Sequence, residues 1–130
     1  MPQDLHTLPA AWQRQAQFCW MHQSFTRHGG LMRRKRPLGA PPDALLPLAF
    51  HWQDSWWTPG FQFEDSRRRV RQELSSLYTE LPAGYRAWDI ACWLALPHAA
   101  LGGHPPVMLL PSYLETVCDA ARIERYLVHG

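Results

Sequence analysis

The sequence predicts a mainly α fold: a compact C-terminal helical bundle with a small β-hairpin and an N-terminal helix. Three observations carry that reading. Apolar residues recur at helical spacing through the C-terminal half. Two short aromatic runs flank the polar triplet Gln53-Asp54-Ser55. Twelve prolines and eight glycines cut the chain into short elements. With 46% hydrophobic residues the chain is no disordered polymer. Its 130 residues suit one compact domain with a small appended element rather than two large cores.

From the N-terminus, Leu8 to His28 reads as a helix stopped by Gly29-Gly30, with Trp12, Ala16, Cys19 and Trp20 on its inner face. Leu31 to Asp43 reads as a linker, because four successive basic residues, a glycine and three prolines leave it no apolar period. The first 45 residues thus form an N-terminal helix and a basic, proline-rich linker, and residues 46–130 form the hairpin and helical domain. Leu46 to Trp52 and Trp56 to Phe63 read as the hairpin strands, with Pro59 marking an edge or an interruption. The aromatic side chains are expected to pack the hairpin onto helices. A base-stacking platform is disfavoured because no basic residue interleaves them in sequence.

Asp65 or Ser66 caps the next predicted helix, whose stripe is Val70, Leu74, Leu77, Tyr78 and Leu81. A further helix carries Trp88, Ala91, Cys92 and Leu94 and ends before Pro97. Leu101-Gly102-Gly103 reads as a tight turn and Pro105-Pro106 as the opening of a short helix. Ser112-x-x-Glu115 has the form of a capping box for a terminal helix with an inner stripe of Leu114, Val117, Cys118, Ala121 and Leu127.

Chemistry-bearing patterns are sparse. The seven histidines have no metal-ligand spacing, and the three cysteines, Cys19, Cys92 and Cys118, have no CxxC pairing. There is no phosphate loop, nucleophile elbow or paired catalytic carboxylate. The expectation is a non-enzyme without metal or cofactor. It is cytoplasmic with reduced thiols, since neither an apolar leader nor a stretch of about 20 apolar residues is present. The run Arg33, Arg34, Lys35 and Arg36 reads first as a solvated charge run and, alternatively, as phosphate contacts to DNA. The second cluster, Arg67, Arg68, Arg69 and Arg71, crowds a predicted helix start, where the macrodipole disfavours cations.

One string carries more. Trp93-Leu94, Pro97, Leu101-Gly102-Gly103, Pro106 and Leu109-Leu110 follow the pattern W-L-x-x-P-x-x-x-L-G-G-x-x-P-x-x-L-L. Upstream stand Pro59-Gly60-Phe61-Gln62-Phe63, and downstream Arg122-Ile123-Glu124. This set resembles the antitoxin Xre/MbcA/ParS-like toxin-binding domain family, in particular short members with an upstream FQF element, over roughly Thr58 to Gly130. The resemblance implies a helical module that binds a cognate RES-type, NAD-consuming toxin and occludes its active site. It points to Arg122 and Glu124 as toxin contacts, with Tyr126 and His129 added by their position beyond the matched segment. Phe61, Gln62, Phe63, Trp93, Leu94, Pro97, Leu101, Gly102, Gly103 and Pro106 are read as structural. His98 departs from the asparagine common after that proline, and no complete helix-turn-helix is legible in the first 45 residues. The hairpin also offers a homodimer contact. The alternative function is a small DNA-associated regulator using the arginine-rich patches.

Overall fold

A computed structural model describes residues 10–34, 47–64 and 70–129. The order of elements is α1 (Ala10–Phe25), β1 (Leu31–Arg34), β2 (Phe50–Trp52), β3 (Ser55–Pro59), α2 (Leu74–Glu80), α3 (Ala87–Ala95) and α4 (Leu114–His129), with short 3₁₀ turns between them. The fold is mainly α with one small antiparallel sheet in the order β1-β3-β2.

Helix α1 packs on the opposite stripe from the expected one. Met21 and Phe25 are buried and Phe18 is half-buried, while Trp12 is 64% and Trp20 43% exposed. The spacing Phe18, Met21, Phe25 is also helical, and these side chains meet an aromatic wall. Phe18 stacks on Trp52 at 5.4 Å and meets Trp57 edge-on at 5.0 Å. Trp20 instead uses its polar edge, donating its indole N–H to the Ala95 carbonyl at 3.0 Å. That carbonyl lies in the last turn of α3, where no intrahelical donor exists.

The glycine pair then has a second task. Gly30 N–H returns to Phe25 O at 2.8 Å and closes the helix. Gly29, at φ +89°, lies back to back with Gly60. A Cβ on Gly60 would stand 2.3 Å from Gly29 O, and one on Gly29 would stand 2.8 Å from backbone of Gly60, so neither position has room for a side chain.

Two sheet expectations are corrected. Leu31–Arg34 is strand rather than linker, paired antiparallel to β3 from Leu31↔Pro59 to Arg34↔Trp56. The missing apolar period misleads there because Leu31 and Arg33 alternate with Met32 and Arg34 on a two-sided strand. The expected hairpin is present as β2 and β3, joined at Gln53 and Asp54, whose φ values of 48° and 61° suit the turn that matches strand twist. Pro59 ends β3, but β3 is the central strand rather than an edge. As the last residue, Pro59 needs no N–H in the ladder beyond it.

Next, Gln62 is fully buried and locks the segment before β2. Its Oε1 accepts from Leu48 N–H at 2.7 Å, and its Nε2 donates to Leu48 O at 2.8 Å and to Thr58 Oγ1 at 2.6 Å. Phe61 stacks on Phe25 at 6.0 Å, and Phe63 forms a bridge with Val70.

Helix α2 begins at Leu74, so Asp65 and Ser66 do not cap it. Arg71 shows why: its N–H is held by Gln62 O at 2.7 Å, which keeps the chain tied to the 3₁₀ turn until just before the helix. Leu74, Leu77, Tyr78 and Leu81 are buried as the stripe predicts. Helix α3 ends at Ala95, with Leu96 extended ahead of Pro97. Ile90, Ala91, Trp93, Leu94 and Ala95 enter the core, while Trp88 and Cys92 stay half-buried toward α1. After α3 the chain turns at Gly102 and Gly103, with φ of 66° and 84°, and His98 pairs with His104 across the turn. Pro106–Leu109 is a 3₁₀ turn that buries Pro106 and Val107. At α4 the first helical bond runs from Val117 N–H to Tyr113 O, so Tyr113 rather than Ser112 takes the N-cap position.

One core cluster runs from Met21 and Phe25 through α2 and α3 to Val117 and Ala121. Among the described residues no helix is long and apolar enough to cross a membrane.

Candidate functional site

The residues carrying the family-like pattern are consumed by the fold. Trp93, Leu94, Leu101 and Pro106 are buried, and Gly102 and Gly103 make the turn. Pro97 is exposed and follows the end of α3. His98 has its own job: its Nε2 lies 2.8 Å from Trp93 O, where only an N–H donor is complementary, so the ring is protonated at Nε2. Its ring also lies against the Trp93 indole at 4.8 Å.

Helix α4 divides into a seated part and an overhang. Val117, Cys118, Ala120 and Ala121 are buried against α2 and the corner. Arg122 Nε reaches Glu80 at 3.0 Å and its Nη1 meets Asp119, while Arg125 Nη2 lies 3.4 Å from Glu80. These pairs are partly exposed, so each adds at most about 1 kcal/mol; their effect is to set rotamers and fix the helix azimuth. From the other flank the Tyr85 hydroxyl donates to Glu124. Burial, followed by that bond, pushes the Tyr85 phenol above its ordinary range.

Between and beyond these ties, four large apolar side chains of the helix are left uncovered among the described residues. Ile123 is 48% exposed, Tyr126 78%, Leu127 79% and Val128 49%. Leu127 was expected to belong to the inner stripe, and in direction it does. Seven residues after the buried Ala120, it continues that edge of the buried face past the point where the body ends, and Val128 does the same seven residues after Ala121. The cause is length: α4 has 16 residues and its main neighbour α2 has 7, roughly 24 Å against 10 Å.

The expected toxin contacts therefore separate. Arg122 and Glu124 are engaged within the fold, Tyr126 is open, and the His129 side chain lies outside the described residues. Ile123, Leu127 and Val128 join Tyr126 on the overhang, although sequence reasoning passed over them as contacts. The readable signal was a terminal helix that runs about two turns past its last buried residue, Ala121.

Of the basic run, Arg33 donates through Nε to Ser55 Oγ at 2.7 Å, and Arg34 stands opposite Trp56 in register. Lys35, Arg36 and residues 67–69 lie outside the described residues, as does the Arg34 side chain. Arg71 is spent on Phe61 O at 3.1 Å.

A cleft of about 420 Å³ between α1, α3 and α4 is lined by Gln13, Trp88, Asp89, Cys92 and Glu124 among others. The Arg14 guanidinium caps it, 4.7 Å over the Trp88 ring. Burial pushes the Cys92 thiol up to about 12, so it carries no thiolate at neutral pH. Among the described residues no three histidine, cysteine or carboxylate side chains group as a metal would require.

No family model, curated protein or solved structure matches this chain.

Proposed function

We propose that this protein is an antitoxin-like module that binds a cognate RES-type, NAD-consuming toxin and occludes its active site with the end of α4. The observation behind this reading is the overhang: Ile123, Tyr126, Leu127 and Val128 stand in water on a helix whose preceding turns are pinned. A helix held at its base presents an apolar tip without paying to order it on binding, the condition for a preorganised contact. Tyrosine is among the residue types enriched at interface hot spots, and Leu127 beside Tyr126 enlarges the apolar surface around it. The family-like pattern in the corner supplies the toxin class, and its rigid geometry explains how the helix is aimed. Cytoplasmic residence follows from the same reading, because a toxin that consumes NAD acts where NAD is.

Co-expression with each neighbouring open reading frame, following growth and NAD content, tests this. Growth rescue together with a co-purifying partner is the expected result. A toxic neighbour whose toxicity this protein neither relieves nor binds would refute it.

A further inference from the structure

Strand β1 places cations beside tryptophans that are distant from them in sequence. In register, Arg34 stands opposite Trp56 on β3, and Trp56 stands opposite His51 on β2. The three positions form one row across the whole sheet, spanning roughly 10 Å. Strand alternation puts this row on the face away from α1, because Phe50, Trp52 and Trp57 of the other set pack on Phe18 and Trp88. His51 is exposed and meets the half-buried Trp56 edge-on, with ring centroids 5.4 Å apart. The far end of the same face is closed, since Thr58 is buried and bonded to Leu48 O. Among the described residues, what remains open on this face is exposed His51 beside half-buried Trp56 near the hairpin tip.

Charge along the chain is segregated to match. Between Leu5 and Pro42 there are six lysines and arginines and no carboxylate, whereas from Gln72 onward six carboxylates outnumber three arginines. The net charge of +2 hides this division. Three of the six cations, Arg34, Lys35 and Arg36, are the last residue of β1 and the two that follow it. A sheet face with an aromatic residue at its centre and an arginine position on its edge strand, in a basic stretch of sequence, is complementary to a polyanion with exposed planar rings. Intact duplex hides its base faces in the stack; single strands offer them.

We infer that the outer face of the β1-β3-β2 sheet binds single-stranded polynucleotide, with Trp56 and His51 stacking on bases and Arg34 meeting phosphate. This surface is separate from the α4 overhang, so the inference stands or falls apart from the toxin-binding reading.

The test uses the full chain and labelled oligothymidylate and oligouridylate of about 12 nucleotides, within the range of single-strand site sizes. Fluorescence anisotropy at low salt is expected to show binding of one or both, weakening with added salt. Trp56→Ala should weaken it about tenfold, the order of one lost base–aromatic stack. His51→Glu, at an exposed position that leaves the fold untouched, should weaken it as well, and Arg34→Ala should flatten the salt slope by somewhat less than one. Absence of binding at low salt would overturn the inference. So would duplex bound as tightly as single strand, or wild-type affinity in the His51→Glu protein together with a folded Trp56→Ala protein.

Discussion

Helices α1 and α4 each run 16 residues and each leaves large apolar side chains in water, for different reasons. In α1 the exposed residues are the rejected face: Phe18, Met21 and Phe25 took the core, and Trp12 and Trp20 were left outside. Trp20 is nonetheless tied down, with its indole N–H on Ala95 O. In α4 the exposed residues include the continuation of the chosen face. Leu127 points where Ala120 points and Val128 where Ala121 points, and the body stops short of both. An exposed tryptophan on a rejected face says little about function, since much of any protein surface is apolar. A core stripe that runs off its support is different, because it keeps the shape of a packing surface while no described residue covers it.

The comparison is sharpest when one residue type is tested in both settings. Leu94 is fully buried and Leu127 is 79% exposed. Leu94→Ala should cost about 2–5 kcal/mol by denaturant unfolding, through lost transfer energy and the cavity left behind. Leu127→Ala should stay within about 0.5 kcal/mol of the parent. A large loss at Leu127 would mean the overhang packs on something within the same chain.

Gln62 comes next. Gln62→Leu keeps the apolar volume but strands the Leu48 N–H, and it should cost about 1–3 kcal/mol for each buried group left unpaired. A neutral result would show that residues 47–49 re-pair elsewhere. Smaller again is Gly102→Ala. An added Cβ meets only a His104 ring atom at 3.8 Å, so the cost is the backbone's, about 1 kcal/mol for a left-handed φ of 66°.

These residues also show what was legible from sequence and what was not. The corner around Gly102 and the stripe Leu74, Leu77, Tyr78 could be read, because local rules decide them: glycine for positive φ, and spacing for a buried helix face. Strand β1 could not, since Leu31 to Arg34 owes its conformation to β3, which lies more than twenty residues later. The inner face of α1 is not legible in sequence because two apolar stripes compete on a weakly amphipathic helix, and the tertiary aromatic wall of Trp52, Trp57 and Trp88 decides between them. For the candidate site, Arg122 and Glu124 were visible as a motif fragment, yet their partners Glu80 and Tyr85 lie about forty residues away. Only the three-dimensional pairing separates those two anchors from open Tyr126.

The least effect concerns the thiols. Cys19 is exposed, whereas Cys92 lies half-buried with its thiol pushed up to about 12 and Cys118 is buried with its thiol also raised by burial. Native-state labelling near neutral pH should therefore modify Cys19 first. The sign for stability is that of a raised acid. Folded protein keeps the Cys92 proton that the unfolded chain releases above its ordinary 9, so the contribution is complete below pH 9 and is lost as pH rises toward 12. A Cys92→Ala protein should lose less stability over that alkaline window than the parent.

The central claim, that the unsupported end of α4 is the binding surface, is tested most directly by a double substitution, Tyr126→Ala with Leu127→Asp. It is introduced where the protein rescues growth from its co-expressed toxin, with a thermal melt run on the same variant. The account predicts an unchanged melt and lost rescue. Full rescue with an unchanged melt would contradict it, and would place the toxin contact elsewhere on the molecule.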